Sequence, residues 1–405
     1  KIGQNIDLLG GVVLGNEEAD HRYHHYLEAL KEPDINYISI KISGIYAQIH
    51  PLSYEQSKKE LCKRVATIYR QAINNQYKDF DGKTRPKFVN LDMEEYKDTE
   101  LTLDVFITVL GMPEFKNLTA GIVVQAYLPD AGHFQERLLE FAKKRYAEGG
   151  APLKMRLVKG ANLQMETIIS SLKGWKNPIL PDKIEVDANY LHILDRALQP
   201  DNAQALHIGV ASHNFFTIGY AYLLSKQNNV EDYVTFEMLE GMANHLPRVI
   251  RSLDKQIILY TPVVKKEHFL NAVSYLVRRL DENTGIDNFL SYSFNLKYGS
   301  HEWDFLQKQF EKAYMKKDSM KPQSFRKQDR NLLPFTDKDI NTFHNEPDTN
   351  LDLKQNREWA LDTLKKWSTE ISDNNFVVPV QIGDKEILTE HKRRYYGRSR
   401  NDSVC

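Results

Sequence analysis

Eight short apolar runs lie between residue 5 and about residue 290, and their alternation with helical patterns limits the chain to very few folds. The runs are Ile6–Leu9, Tyr37–Ile40, Phe88–Leu91, Gly121–Val124, Lys154–Val158, Leu206–Val210, Tyr233–Phe236 and Ile257–Leu259. Each is β-prone and largely apolar, as parallel strands buried on both faces are. Most are followed by helical periodicity, for example at 54–74, 132–146, 187–198 and 267–282. Eight strand–helix units in roughly 285 residues match a closed, distorted (β/α)8 TIM barrel. A doubly wound open sheet is the competing arrangement.

In a barrel the C-terminal strand ends converge on one mouth, where active sites sit. Polar residues stand at those ends: Lys41, Asp92, Gln125, Arg156 with Lys159, Ser212 with His213, Glu237 and Tyr260. Any one can simply mark where a strand leaves the core; together they point to a shared site. The net charge of -1 gives no bulk attraction to nucleic acid or acidic lipid. Two cysteines, Cys62 and Cys405, build neither a disulfide framework nor a cysteine metal site, and they fit a reducing compartment. No apolar run approaches the ~20 residues that span a bilayer. The start, "KIGQNIDLLGGVVLG", has no initiator Met and no signal pattern, and reads as trimmed.

The pattern changes after residue 290. A polar, Lys-rich stretch within 291–350 reads as a linker or extended wrap. The segment 353–367 reads as an amphipathic helix with Trp359, Leu361, Leu364 and Trp367 apolar. Residues 376–390 read as two strands around a Gly-Asp turn. The basic 391–400 reads as a solvated tail.

In the helix from about 267, Phe269, Val273, Leu276, Val277 and Leu280 form an apolar stripe. Tyr275, Arg278, Arg279 and Glu282 share a second face. One reading is a solvated face with an Arg278–Glu282 salt bridge, contributing well under ~1 kcal/mol. The other is a clamp for a small carboxylate, because guanidinium is planar, always charged and suited to bidentate binding. Glu282 then holds the arginines in place.

The segments "YLVRRLDEN" (275–283), "MRLVKGAN" (155–162), "ASHN" (211–214), "FEMLEGM" (236–242), "LDMEE" (91–95), "ISIKISG" (38–44) and "VVQAY" (123–127) together resemble the FAD-dependent proline dehydrogenases, in that family's order. The region from "FHNEPDTNLDLKQNREW" onward resembles the connector towards the aldehyde dehydrogenase half of bifunctional proline-utilisation enzymes, a half expected to be missing here. The resemblance implies a barrel over residues 1–290, a linker over 291–350 and a connector over 351–405. It implies oxidation of L-proline to Δ1-pyrroline-5-carboxylate by hydride transfer to FAD, and electrons passed to a membrane quinone. A cytoplasmic protein with peripheral contact at the inner membrane face, no nucleic-acid partner and a native continuation into an NAD-dependent aldehyde dehydrogenase domain is expected.

By the same resemblance, Arg278 and Arg279 bind the proline carboxylate and Glu282 is their acidic partner. Lys41 and Asp92 lie beside the substrate, and Tyr260, Tyr275 and Leu239 wall its ring. Arg156 lies at the reactive flavin edge. Met93, Gln125, Val158, Lys159, Gly160, Ala161, Ser212 and His213 touch FAD, with Asn214 and Glu237 as additions. Asp92, Lys41 or a water between them assists loss of the amine proton, or else Asp92 balances charge among its basic neighbours. Asn162 departs from the family's aromatic, which leaves proline against hydroxyproline open. The segment from Tyr260 to Arg278 is slightly long. A methylenetetrahydrofolate-reductase-like flavoenzyme and a non-catalytic barrel module are the rival functions.

Overall fold

A period of two along each strand places apolar side chains on one face and polar ones on the other. In the computed structural model that alternation builds β1 (Ile2–Leu8), β2 (Tyr37–Lys41), β3 (Phe88–Asp92), β4 (Gly121–Gln125), β5 (Leu153–Val158), β6 (Leu206–Ala211), β7 (Val234–Leu239) and β8 (Ile257–Val263). All eight expected runs are strands. Each pairs in parallel with its neighbour in sequence, and β8 returns to β1 with Ile2 opposite Ile257, closing the barrel. The structure describes residues 2–10, 13–79, 81–243, 245–253, 255–266, 269–285, 288–293, 296–332, 345–372 and 377–391, without the side chains of 271, 274, 281–284 and 370–372.

Outward-facing Ile38, Ile40, Val89, Leu91, Ile122, Met155, Leu157, Ile208 and Val210 are buried in one core with the surrounding helices. These include α1 (Asn16–Ala29), α2 (Tyr54–Asn74), α3 (Tyr96–Leu110), α4 (Ala131–Ala147), α5 (Leu163–Lys173), α6 (Lys183–Ala197), α7 (Phe215–Gln227), α8 (His245–Ser252) and α9 (Leu270–Thr284). On α2, Leu61, Val65, Ile68, Tyr69 and Ala72 recur at helical spacing and are buried. Helix α6 starts before its expected residue 187 because the Asp182 carboxylate accepts from the Glu185 amide at 2.8 Å.

The alternate strand positions are polar yet equally buried: Asn5, Ser39, Asn90, Asp92, Arg156 and Glu237. Arg156 bonds to Asp92 and Glu237 on strands that are not its neighbours, so these side chains meet inside the lumen. Gly209 makes room for them, because a Cβ there would collide with the Glu237 carboxylate.

The stretch expected as a linker contains α10 (His301–Lys316). Trp303, Leu306, Phe310 and Ala313 give it a helical stripe, and the Ser300 hydroxyl caps it by accepting from the Trp303 amide at 3.2 Å. It packs on α6 and α7, with Ala313 against Ala188 and Leu191, and Phe216 near Trp303 and Phe310. The chain forms two compact units, Lys1–Arg326 and Lys327–Cys405. In the second, Arg330 donates to Glu346 and to the Pro347 carbonyl. Helix α11 (Lys354–Ser372) covers the expected 353–367 segment, with Leu361, Leu364 and Trp367 exposed. Val380–Ile382 pairs antiparallel with Lys385–Ile387 about Gly383-Asp384, the expected hairpin. Apart from His391, the basic tail lies outside the described residues. No helix among the described residues is long and apolar enough to cross a membrane.

Candidate active site

The strand ends open into a cavity of about 600 Å³. Its lining brings together Lys41, Asp92, Met93, Gln125, Arg156, Val158, Lys159, Gly160, Ala161, Ser212, His213, Asn214, Glu237, Leu239, Tyr260, Tyr275, Arg278 and Arg279, every expected site residue whose side chain is described. The Glu282 side chain lies outside the described residues. Asp7, Glu94 and Lys183 also line the cavity, and the sequence reading missed them. Asn162 is not in the lining; it is buried at the start of α5, its amide 3.5 Å from Glu166.

Arg156 organises the floor. Its Nη1 donates to Asp92 at 2.6 Å, its Nε to Glu237 at 2.6 Å and its Nη2 to the Tyr37 hydroxyl at 3.0 Å. Asp92 also accepts from Asn90 at 2.7 Å, Tyr260 at 2.9 Å and Ser39 at 3.2 Å. Lys154 meets Glu237 at 2.6 Å. Burying charge costs several kcal/mol per ion unless partners are near complete, and here they are. Burial drives Glu237 towards its neutral form, but Lys154 and Arg156 outweigh it and hold the carboxyl below its usual range. Asp92 thus has donors on both oxygens, Arg156, Asn90 and Ser39 on one and Tyr260 on the other.

The rim is different. Helix α9 turns Tyr275, Arg278 and Arg279 to the cavity. Its apolar residues Phe269, Leu270, Val273, Leu276, Val277 and Leu280 are 43–85% exposed, the reverse of a core-packed amphipathic helix. A helix roofing a polar cavity puts its charged face inward. Arg279 stacks 5.2 Å over the Tyr275 ring. Glu94 lies 3.5 Å from both Lys41 and Arg278. Burial opposes the charge on Lys41, but Asp7, Glu94 and Asp92 more than offset this and raise its pKa. Lys41 therefore stays protonated and acts as a cation. Arg278 Nε is buried without a hydrogen-bond partner among the described residues.

The other wall suits a dinucleotide. Gly160, at φ +139°, brings the loop after β5 against the Tyr127 ring, where a Cβ would clash. Beyond β6, Asn214 caps α7, its Oδ1 accepting from the Phe216 amide at 2.9 Å, and the helix N-terminus favours an anion. Gln125 donates to the Met93 and Glu94 carbonyls at 3.4 Å each, leaving its buried Oε1 without a partner among the described residues. Lys159 and Lys183 flank Asp187 beside it. Among the described residues, six basic side chains line the cavity against four carboxylates, an excess of positive charge. These donors, the open acceptor and the close loop fit FAD.

His213 accepts the Leu239 amide at Nε2, 3.2 Å, so Nδ1 carries its proton. Burial pushes His213 and His207 down to about 4. The unfolded chain then binds more protons from pH 6.5 down to about 4, and stability falls with pH across that window. By pH 5 the expected loss is about 2 kcal/mol for each. Thermal unfolding at pH 7.5 and pH 5 checks this, and His207→Gln should shrink the difference. A melting temperature indifferent to pH over that range defeats it.

An eight-stranded parallel barrel with charged side chains gathered at its C-terminal mouth defines the class: a (β/α)8 barrel protein with a candidate site at that mouth. The family model described as Proline dehydrogenase matches residues 1–292, and the chain belongs to that family. It is 25% identical over 287 residues to proline dehydrogenase of Deinococcus radiodurans, covering 69% of this chain and 78% of that protein. It is 28% identical over 253 residues to hydroxyproline dehydrogenase of Rattus norvegicus, covering 60% of this chain and 52% of the relative. The solved Proline Utilization A of Corynebacterium freiburgense matches at 38% identity and a TM-score of 0.75, over 89% of this chain and 34% of that one. The chain thus spans about half of the rat protein and a third of the solved one.

Proposed function

We propose that this chain oxidises L-proline to Δ1-pyrroline-5-carboxylate in an FAD-dependent reaction, and that a quinone is the final electron acceptor. The observation that carries the reading is the paired Arg278 and Arg279 on a helix facing the cavity, with the buried Nε of Arg278 unpartnered among the described residues. Family membership supports it. Met93, Gln125, Val158 to Ala161 and Ser212 to Asn214 are the residues that would hold FAD, with Glu237 behind them. FAD, when bound, supplies the hydride acceptor.

The chain does the rest. Arg278 and Arg279 fix the substrate carboxylate, and Leu239, Tyr260 and Tyr275 wall the ring. Fixing both ends orients the carbon next to nitrogen, and orientation is a large part of such a transfer. Lys41 adds positive charge at the rim, which favours the substrate anion with its amine deprotonated. The Arg156 network keeps the floor rigid beneath the reacting ring. A peripheral contact with the membrane holding the quinone, and an aldehyde-oxidising domain that takes the product, belong to the same proposal.

The likeness to the rat hydroxyproline dehydrogenase favours 4-hydroxyproline as a second substrate, whereas Asn162, which lies outside the cavity lining, does not bear on the choice. The test is a visible spectrum of the purified protein before and after anaerobic L-proline, with trans-4-hydroxy-L-proline in parallel. Bleaching of a flavin band by L-proline is expected. A flavin band that neither amino acid bleaches favours another barrel flavoenzyme; a colourless protein that takes up no FAD favours a non-catalytic module.

A further inference from the structure

We infer that Glu94 is the positioning residue of the carboxylate clamp, tying Lys41 on the barrel rim to Arg278 on the overlying helix so that the Nε edge of Arg278 is left for the ligand. The inference rests on the functional reading above and adds a residue to it. Glu94 sits two residues beyond the end of β3, and its side chain is about one-third exposed. One carboxylate oxygen lies 3.5 Å from Lys41 Nζ and the other 3.5 Å from Arg278 Nη1. The two cations come from elements far apart in sequence, and this carboxylate joins them. Its own backbone is held, because Gln125 donates to the Met93 and Glu94 carbonyls and α3 begins at Tyr96, whose amide donates to Glu166 at 2.7 Å.

The charge arrangement decides between two roles. Glu94 could act as a resident competitor that fills the anion site, or as a strut that shapes it. A competitor would take the fork of Arg278 side-on, through Nε and an Nη. Glu94 instead takes Nη1 alone and leaves Nε buried without a partner among the described residues. Among the described rim residues Lys41, Arg278 and Arg279 outnumber Glu94 and Asp7, so the rim keeps a net positive charge for an anion. A free arginine side chain has much rotamer freedom to lose on binding. Tethering Nη1 removes part of that freedom before the ligand arrives, which is preorganisation. Burial opposes the charge on Glu94, but Lys41 and Arg278 hold it below the usual carboxylate range, so the strut is ionised at neutral pH.

The experiment compares the FAD-loaded full chain with Glu94→Gln and Glu94→Asp. Calorimetric binding of cyclopentanecarboxylate, which has the ring and the acid but no oxidisable amine, reads the clamp without turnover. Glu94→Gln should weaken it about tenfold and raise the KM for L-proline by a similar factor, with kcat within twofold and the melting temperature unchanged. Glu94→Asp should recover at least half of that loss on a logarithmic scale. Equal or tighter binding by Glu94→Gln overturns the inference, and tighter binding identifies Glu94 as a competitor. Failure of the wild-type chain to bind the acid overturns the inference together with the clamp. If L-proline fails to bleach the wild-type flavin while the acid still binds with this Glu94 dependence, the functional reading falls and the positioning role stands.

Discussion

Arg278→Met raises the KM for L-proline about 100-fold, with flavin content and melting temperature near wild type. Charge-assisted hydrogen bonds contribute about 1.5–3 kcal/mol each, and a 100-fold change corresponds to about 2.7 kcal/mol, roughly the loss of one such bond net of what water restores. The fold tolerates the change because the Arg278 side chain is about one-third exposed and its one described carboxylate partner, Glu94, keeps Lys41. Removing it therefore strands no buried charge. Arg278→Lys restores the charge but not the planar fork, so it should recover only part of the loss. Arg279→Met acts in the same direction, since its guanidinium lines the same cavity and stacks on Tyr275. The comparison is made by steady-state kinetics on both variants, with flavin absorbance per chain as the control. An unchanged KM in both variants defeats the clamp.

Much of this architecture was legible because barrel strands write a strong local signal. Ile38 and Ile40, or Met155 and Leu157, are buried against helices whatever the ligand. The polar strand ends pointed to the mouth because a parallel barrel brings all such ends together. Asp7 was passed over inside an apolar-looking run, although Asn5 and Asp7 at a spacing of two carry the same signal of a polar lumen. Glu94 had no local signature, since its meaning comes from a helix nearly two hundred residues away. The helix at 301–316 did announce itself, by Ser300 as a cap and by Trp303, Leu306, Phe310 and Ala313. It lies beyond the eighth strand, where a barrel needs no further helix to close. The α9 stripe was visible, but the rule that apolar faces pack inward fails where a helix covers a polar cavity. That failure is itself a functional signal: the arginines face inward at the expense of exposing Leu270 and Leu280.

Arg156→Met should destabilise the barrel by about 3–5 kcal/mol, the usual effect of breaking a buried ion pair by removing one partner. For a unit of this size that is a fall of roughly 4–7 °C in melting temperature. The loss concentrates on Asp92. Glu237 keeps Lys154 at 2.6 Å, whereas Asp92 keeps only the neutral donors Asn90, Ser39 and Tyr260. A second substitution then separates this account from a simple packing defect. Asp92→Asn alone is destabilising, because it leaves the Arg156 guanidinium short of a carboxylate in the lumen. Added to Arg156→Met, it removes the stranded charge and should restore part of the lost stability. Two lesions that act independently add; partners in one buried pair do not. Denaturant midpoints for the two single variants and the double variant read the difference directly, and a double variant that shows the full sum of both losses sinks the keystone role. Because Arg156 also lines the cavity, Arg156→Met should shift flavin potential or occupancy even where the protein remains folded. The network that keeps this guanidinium charged inside the barrel also fixes where its positive charge stands at the floor of the cavity.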